Sequence, residues 1–171
     1  PFIRLREKLR GSNLKFNLIT VSEKVVLGLL KALKSKKSFG IDGITSEVLK
    51  IGSNVLVVPL TYIVNSSITT GKYPSLWKIA KVIPVHKKGD KKILKNYRPV
   101  SLLAVAGMIL EKVVALQIEE FFENNGLLGS FQFAFRRNKG TISELLTLLD
   151  ILLEAKEMKR EIMIILYDLS A

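Results

Sequence analysis

The chain of 171 residues contains no cysteine and a single histidine, His86. Without thiols there is no disulfide framework, no thiolate zinc site and no cysteine nucleophile. One imidazole cannot build a histidine-rich metal centre either. Acid is scarce: 15 Asp and Glu stand against 27 Lys and Arg, a formal net charge of +12. A secretory leader's apolar run is missing from residues 1–10 (PFIRLREKLR), where charges interleave.

What is present is one domain's length of chain, with 48% apolar residues, enough to bury a sizeable core. The basic excess favours a polyanionic partner, with nucleic acid ahead of a membrane. The positives do not fall on one face of one amphipathic helix, so no membrane association is expected. They gather in loops and strand-like segments instead. The densest run is Lys78, Lys81, Lys87, Lys88, Lys91, Lys92, Lys95 and Arg98, followed by Arg136, Arg137 and Lys139. An ordinary solvated surface is the alternative reading of such a run.

Periodicity predicts a first amphipathic helix capped by Thr20 with Glu23, carrying Val25, Val26, Leu29, Leu30 and Leu33 and ending in Lys34, Lys36 and Lys37. Phe39-Gly40-Ile41-Asp42-Gly43 reads as a shaped turn. Helical spacing resumes from Ser46 to about Thr70, split in two by Gly52 and Pro59 and stopped by Gly71, with Pro74 marking a loop that carries Trp77. Lys78 to His86 reads as an edge strand, Lys87 to Asn96 as a loop, and Pro99 to Leu103 as a second strand. The two strands would make a basic hairpin. A helix follows from Val105 to Asn125, ended by Gly126, with Ile109, Val113, Val114, Leu116, Ile118, Phe121 and Phe122 inward. After the aromatic and basic segment Phe131 to Arg137, Thr141 with Glu144 predicts another capping box and a leucine-rich helix. Ile162 to Leu166 has the apolar density of a buried strand. The fold class read from this order is α+β.

Four blocks then line up: Lys37-Ser38-Phe39-Gly40-Ile41-Asp42-Gly43; Trp77-Lys78-Ile79-Ala80 with Ile83-Pro84-Val85-His86-Lys87-Lys88-Gly89-Asp90; Asn96-Tyr97-Arg98-Pro99-Val100-Ser101-Leu102-Leu103; and Tyr167-Asp168-Leu169-Ser170-Ala171. Together they resemble the reverse transcriptase of non-LTR, LINE-type retrotransposons of the jockey kind, from about Val25 to the end. The resemblance implies a right-hand polymerase: residues 1–19 as a leading segment, 20–160 as fingers, and 161–171 as the first palm strand. It also implies that the chain stops within the first catalytic motif, lacks the carboxyl-terminal half of the polymerase and is inactive alone. Pro1 in place of Met reads the same way.

By the same resemblance Asp168 is the first metal-binding catalytic carboxylate, with the Leu169 carbonyl as a further oxygen ligand for Mg2+. Nucleotidyl transfer between paired magnesium ions needs several converging carboxylates, and one Asp does not supply them. Asp42 and Asp90 adjoin glycines and read as turn residues, and Asp150 as a polar-face residue of a helix. Lys87 and Arg98 match residues that contact the incoming deoxynucleoside triphosphate, a task suited to a guanidinium fork and a mobile ammonium. Lys78 and Lys81 are expected to line the nucleic-acid path, and Gln132 and Arg136 to lie near the RNA template and DNA primer. Phe133 and Phe135 either stack on bases or join the core, the core being the expected place. Trp77 is expected to pack the fingers, and His86 to be a solvated loop residue. Ala134 and Gly140 depart from the family's usual Gly and Ser. The expected location is intracellular, cytoplasmic and nuclear. Two other functions are open, a nucleic-acid-binding module without catalysis and an inert relic of a degenerate element.

Overall fold

Helix α1 (Glu23–Lys31) buries Val26 and Leu30, one turn apart on one face. The computed structural model describes residues 14–167, and of these the residues up to Phe121 form one compact unit and those from Phe122 onward a second. α1 begins later and ends sooner than its periodicity predicts. Ser22, not Thr20, holds the N-cap, without a side-chain bond. The reason is Asn65, whose Oδ1 accepts from Val21 N at 2.8 Å and whose Nδ2 donates to Val21 O at 2.9 Å, keeping the backbone there out of the helix. Gln117 grips Ile19 in the same way, at 2.9 Å on both sides. At the other end the buried Ser46 hydroxyl donates to Lys34 O at 2.8 Å and accepts from Lys36 N at 2.9 Å. Those bonds take residues 34–36 off the helical path, so Lys34, Lys36 and Lys37 lie beyond the helix end.

The turn at Gly40 follows. Phe39 and Thr45 form an isolated antiparallel bridge, Asp42 Oδ1 accepts from Ile44 N at 3.2 Å, and Gly43 sits at φ 70°. Gly40 has no room for a side chain, because a Cβ would lie 2.7 Å from Ala104 N. Helices α2 (Ser46–Ile51) and α3 (Ser53–Thr70) part at Gly52. Pro59 does not break the run as expected. It stands inside α3 on the exposed face, and the carbonyl it leaves unpaired belongs to Val55, 80% exposed, so water can satisfy it. Ile51 to Gly71 carries no charge, but no described helix is long and apolar enough to cross a membrane.

Strands β1 (Lys81–His86) and β2 (Tyr97–Leu102) pair antiparallel, and helix α4 (Val105–Asn124) follows, with Gly126 at φ 59° beyond it. The core of this unit is helical: Val26, Leu30, Leu49, Val57, Leu60, Val64, Val105, Ile109, Leu110 and Val113, with Trp77 packed at its edge. Each such side chain contributes about 1.5–3 kcal/mol relative to exposure. Gly107 lets α4 pass close to Tyr73 and Trp77. Of the residues predicted inward on α4, Ile109 and Val113 are buried, whereas Ile118 is 39% exposed.

In the second unit, helix α5 (Thr141–Glu157) buries no residue. Its N-cap is Gly140, one residue before Thr141, and Ser143 rather than Glu144 reaches back, its Oγ accepting from Gly140 N at 2.9 Å. Gly140 has no side chain with which to complete the box. Ile162 to Leu166, expected as a buried strand, form neither helix nor strand, and all are exposed, Leu166 at 90%. An apolar run becomes a strand only by pairing its backbone, and the described sheet consists of β1 and β2 alone. Mixed helices and a small sheet agree with the α+β class.

Candidate nucleic-acid interface

The register of the hairpin decides which cations meet. Lys81 faces Leu102, Ile83 faces Val100 and Val85 faces Arg98, and Lys87 N donates to Asn96 O at 2.7 Å one step further. Because side chains alternate, Lys81, Lys87 and Arg98 share one face, with Arg98 opposite Val85 and diagonal to Lys87. Arg98, Lys87 and Lys78 are exposed, and none of the three has an ion pair among the described residues. The Lys81 ammonium lies 5.0 Å from the centre of the Phe39 ring, which ties β1 to the Gly40 turn. Lys78 ends the 3-10 turn Ser75–Lys78 just before β1.

The lysine-rich loop between the strands is held in shape. Asn96 Nδ2 donates to Asp90 O at 2.8 Å, Tyr97 Oη donates to Lys91 O at 2.8 Å, and Asp90 Oδ1 accepts from Lys92 N at 2.9 Å. His86, expected as a solvated loop residue, is half-buried at the end of β1, its ring edge-on to Tyr97 at 5.3 Å and Nε2 3.0 Å from Gly89 O. Gly89 takes φ 79° there. Asp90 is a turn residue, as its glycine neighbour predicts. Sequence reasoning missed the loop's fasteners, Asn96 and Tyr97, because each bonds to a backbone carbonyl six positions away, which local turn signals do not mark.

Gln132 and Arg136 belong to the unit that starts at Phe122. Arg136 is engaged throughout its guanidinium: Nε and Nη2 donate to the Glu123 carboxylate at 2.9 and 2.7 Å, and Nη1 to Gly129 O at 3.0 Å. Hydrogen bonding from Arg136 holds the Glu123 carboxyl below its usual range, and the reciprocal bond raises the arginine. The two phenylalanines part company. Phe133 is buried at 9% exposure with Lys139 over its ring at 5.3 Å, whereas Phe135 is 98% exposed at φ 59°, which overturns its expected place in the core. Left-handed backbone at a bulky residue costs about 1–2 kcal/mol. Ala134, by contrast, is not in the left-handed region, so the family's usual glycine is not required by backbone there.

Asp168 and Leu169 lie outside the described residues. Among the described residues no three His, Asp or Glu side chains converge as metal ligands, so they do not by themselves fit a magnesium site.

No protein-family model matches the chain. It is 30% identical over 148 residues to the RNA-directed DNA polymerase from the mobile element jockey of Drosophila melanogaster, covering 86% of this chain and 16% of that protein. It is 31% identical over 142 residues to its Drosophila funebris counterpart, covering 82% and 15%. To the probable RNA-directed DNA polymerase from transposon BS of Drosophila melanogaster it is 28% identical over 135 residues, covering 78% and 15%. The chain thus spans about 15% of the length of these relatives. Over that span, it belongs to the reverse-transcriptase family of jockey-like, non-LTR mobile elements.

Proposed function

We propose that the chain forms the fingers, and the beginning of the palm, of an RNA-directed DNA polymerase. The observation that carries this is the placing of Lys87 and Arg98 together on an exposed face of a hairpin whose loop is fixed by its own side chains. A rigid loop pays less ordering entropy when it meets phosphate. Arg98 would hold triphosphate oxygens in a fork, Lys87 would add a point charge, and Lys78 and Lys81 would flank the path of RNA template and DNA primer. Phe135, exposed and without packing to lose, is the aromatic suited to stack on a base. Arg136 serves by fixing the Gly129–Arg136 loop, and Gln132, exposed on that loop, is its polar contact. When bound, magnesium would supply charge stabilisation to nucleotidyl transfer, with Asp168 and the Leu169 carbonyl as proposed ligands. Work on RNA in the cytoplasm and on DNA in the nucleus fits this role.

A second reading, RNA binding without catalysis, rests on the eight basic residues between Lys78 and Arg98, met by one acid, Asp90. Primer extension on an RNA template with magnesium separates the two. The chain is assayed alone and within a longer reading frame, each beside Asp168→Asn. Extension by the longer protein, lost in the variant, supports the polymerase. RNA binding without extension supports the second reading.

A further inference from the structure

A groove of about 520 Å³ lies on the first unit, walled by apolar side chains such as Leu33, Leu102 and Met108. Its charged lining is entirely basic, consisting of Lys34, Lys36 and Lys112. Met108 and Lys112 are one turn apart on α4, so floor and rim share a face of that helix. Volumes of about 300–1,000 Å³ suit the anchoring side chains of a recognised ligand. Phe39 is the aromatic residue in the lining and Lys81 already covers it, so the groove offers little surface for stacking bases. Apolar walls with a cationic rim fit an acidic amphipathic helix.

The chain itself carries such a helix. α5 has four carboxylates and one lysine in a protein of net charge +12. Ile142, Leu145, Leu149 and Leu153 recur along one side of it, and each is 49% exposed or more. By helical geometry Asp150 and Glu157 flank that stripe. We propose that the groove of one copy receives α5 of a second copy. The leucine stripe fills the apolar walls and the flanking carboxylates meet the lysine rim. Exchange of helices in both directions closes a two-fold dimer.

Sedimentation velocity across a wide concentration range tests this with the whole chain, helix content being checked by circular dichroism. The expected result is dimerisation that weakens by about tenfold or more in Lys36→Glu/Lys112→Glu and equally in Asp150→Lys/Glu157→Lys. Combining all four changes in one chain should restore it, because the charges are then exchanged. If the groove variant loses its helix content, the α5 variant decides alone, its changes being on an exposed helix. A chain that stays monomeric, or a dimer indifferent to the α5 charges, overturns the proposal.

Discussion

Pro84 faces Pro99 directly across the β1–β2 ribbon. Neither residue has an N–H, and the bond from Lys87 N to Asn96 O sets an alternation that makes 84 and 99 a non-hydrogen-bonded pair, whose amides would point outward. Each edge of the ribbon is therefore blocked at its centre against a further strand. Pro84→Val with Pro99→Val restores two outward donors without costing a ladder bond. Light scattering at equal concentration should then show severalfold faster aggregation, with the helical circular dichroism unchanged.

Gly40 is a packing requirement. A methyl group there would meet the backbone of Leu103 and Ala104 at 2.7–2.9 Å, which no side-chain rotation relieves. Gly40→Ala should destabilise the first unit by roughly 2–3 kcal/mol in urea titration, near the top of the range for overpacking. Gly28→Ala, with open space around it, should stabilise α1 modestly.

Much of this arrangement was legible because local rules and tertiary needs agree. The hairpin, the breaks at Gly52 and Gly71, and α4 with its end at Gly126 all follow from period and punctuation. The misses arise where distant residues override local preference. Asn65, 44 positions from Val21, fixes where α1 starts, and Ser46 fixes where the chain leaves it. Pro59 is tolerated because of which face it occupies, a property of the assembled bundle. The resemblance singled out Lys87 and Arg98, and the hairpin register puts them on one face, but the engagement of Arg136 by Glu123 is a side-chain contact that spacing does not encode.

Tyr73 offers a pH test. Burial, then the hydrogen bond to Glu111 at 3.0 Å, pushes its phenol up to about 12. A raised folded value means this contribution is complete below the ordinary tyrosine range near ~10 and is lost as pH rises through the folded value. Ultraviolet titration should show a late ionisation step above the ordinary tyrosine range, and Tyr73→Phe should remove that step while costing about 1 kcal/mol.

The Glu123–Arg136 pair titrates in the opposite direction. Because the carboxyl is depressed, the pair is intact above the ordinary glutamate range and is lost as pH falls through the lowered value. Protection from hydrogen exchange in the Gly129–Arg136 loop, relative to the intrinsic rate at each pH, should fall in that acid window and, at neutral pH, in Arg136→Ala. Arg136→Lys should restore little, since a single ammonium cannot serve both carboxylate oxygens and Gly129 O.

The most direct test of the interface is the salt dependence of binding to a labelled single-stranded RNA, measured by anisotropy for the wild type, Lys87→Ala, Arg98→Ala and, as a control on α5, Lys156→Ala. Affinity should fall steeply with salt, with a loss of about 3–10-fold and a shallower slope in each hairpin variant and no change in the control. Equal affinity and slope in all four proteins would contradict the interface.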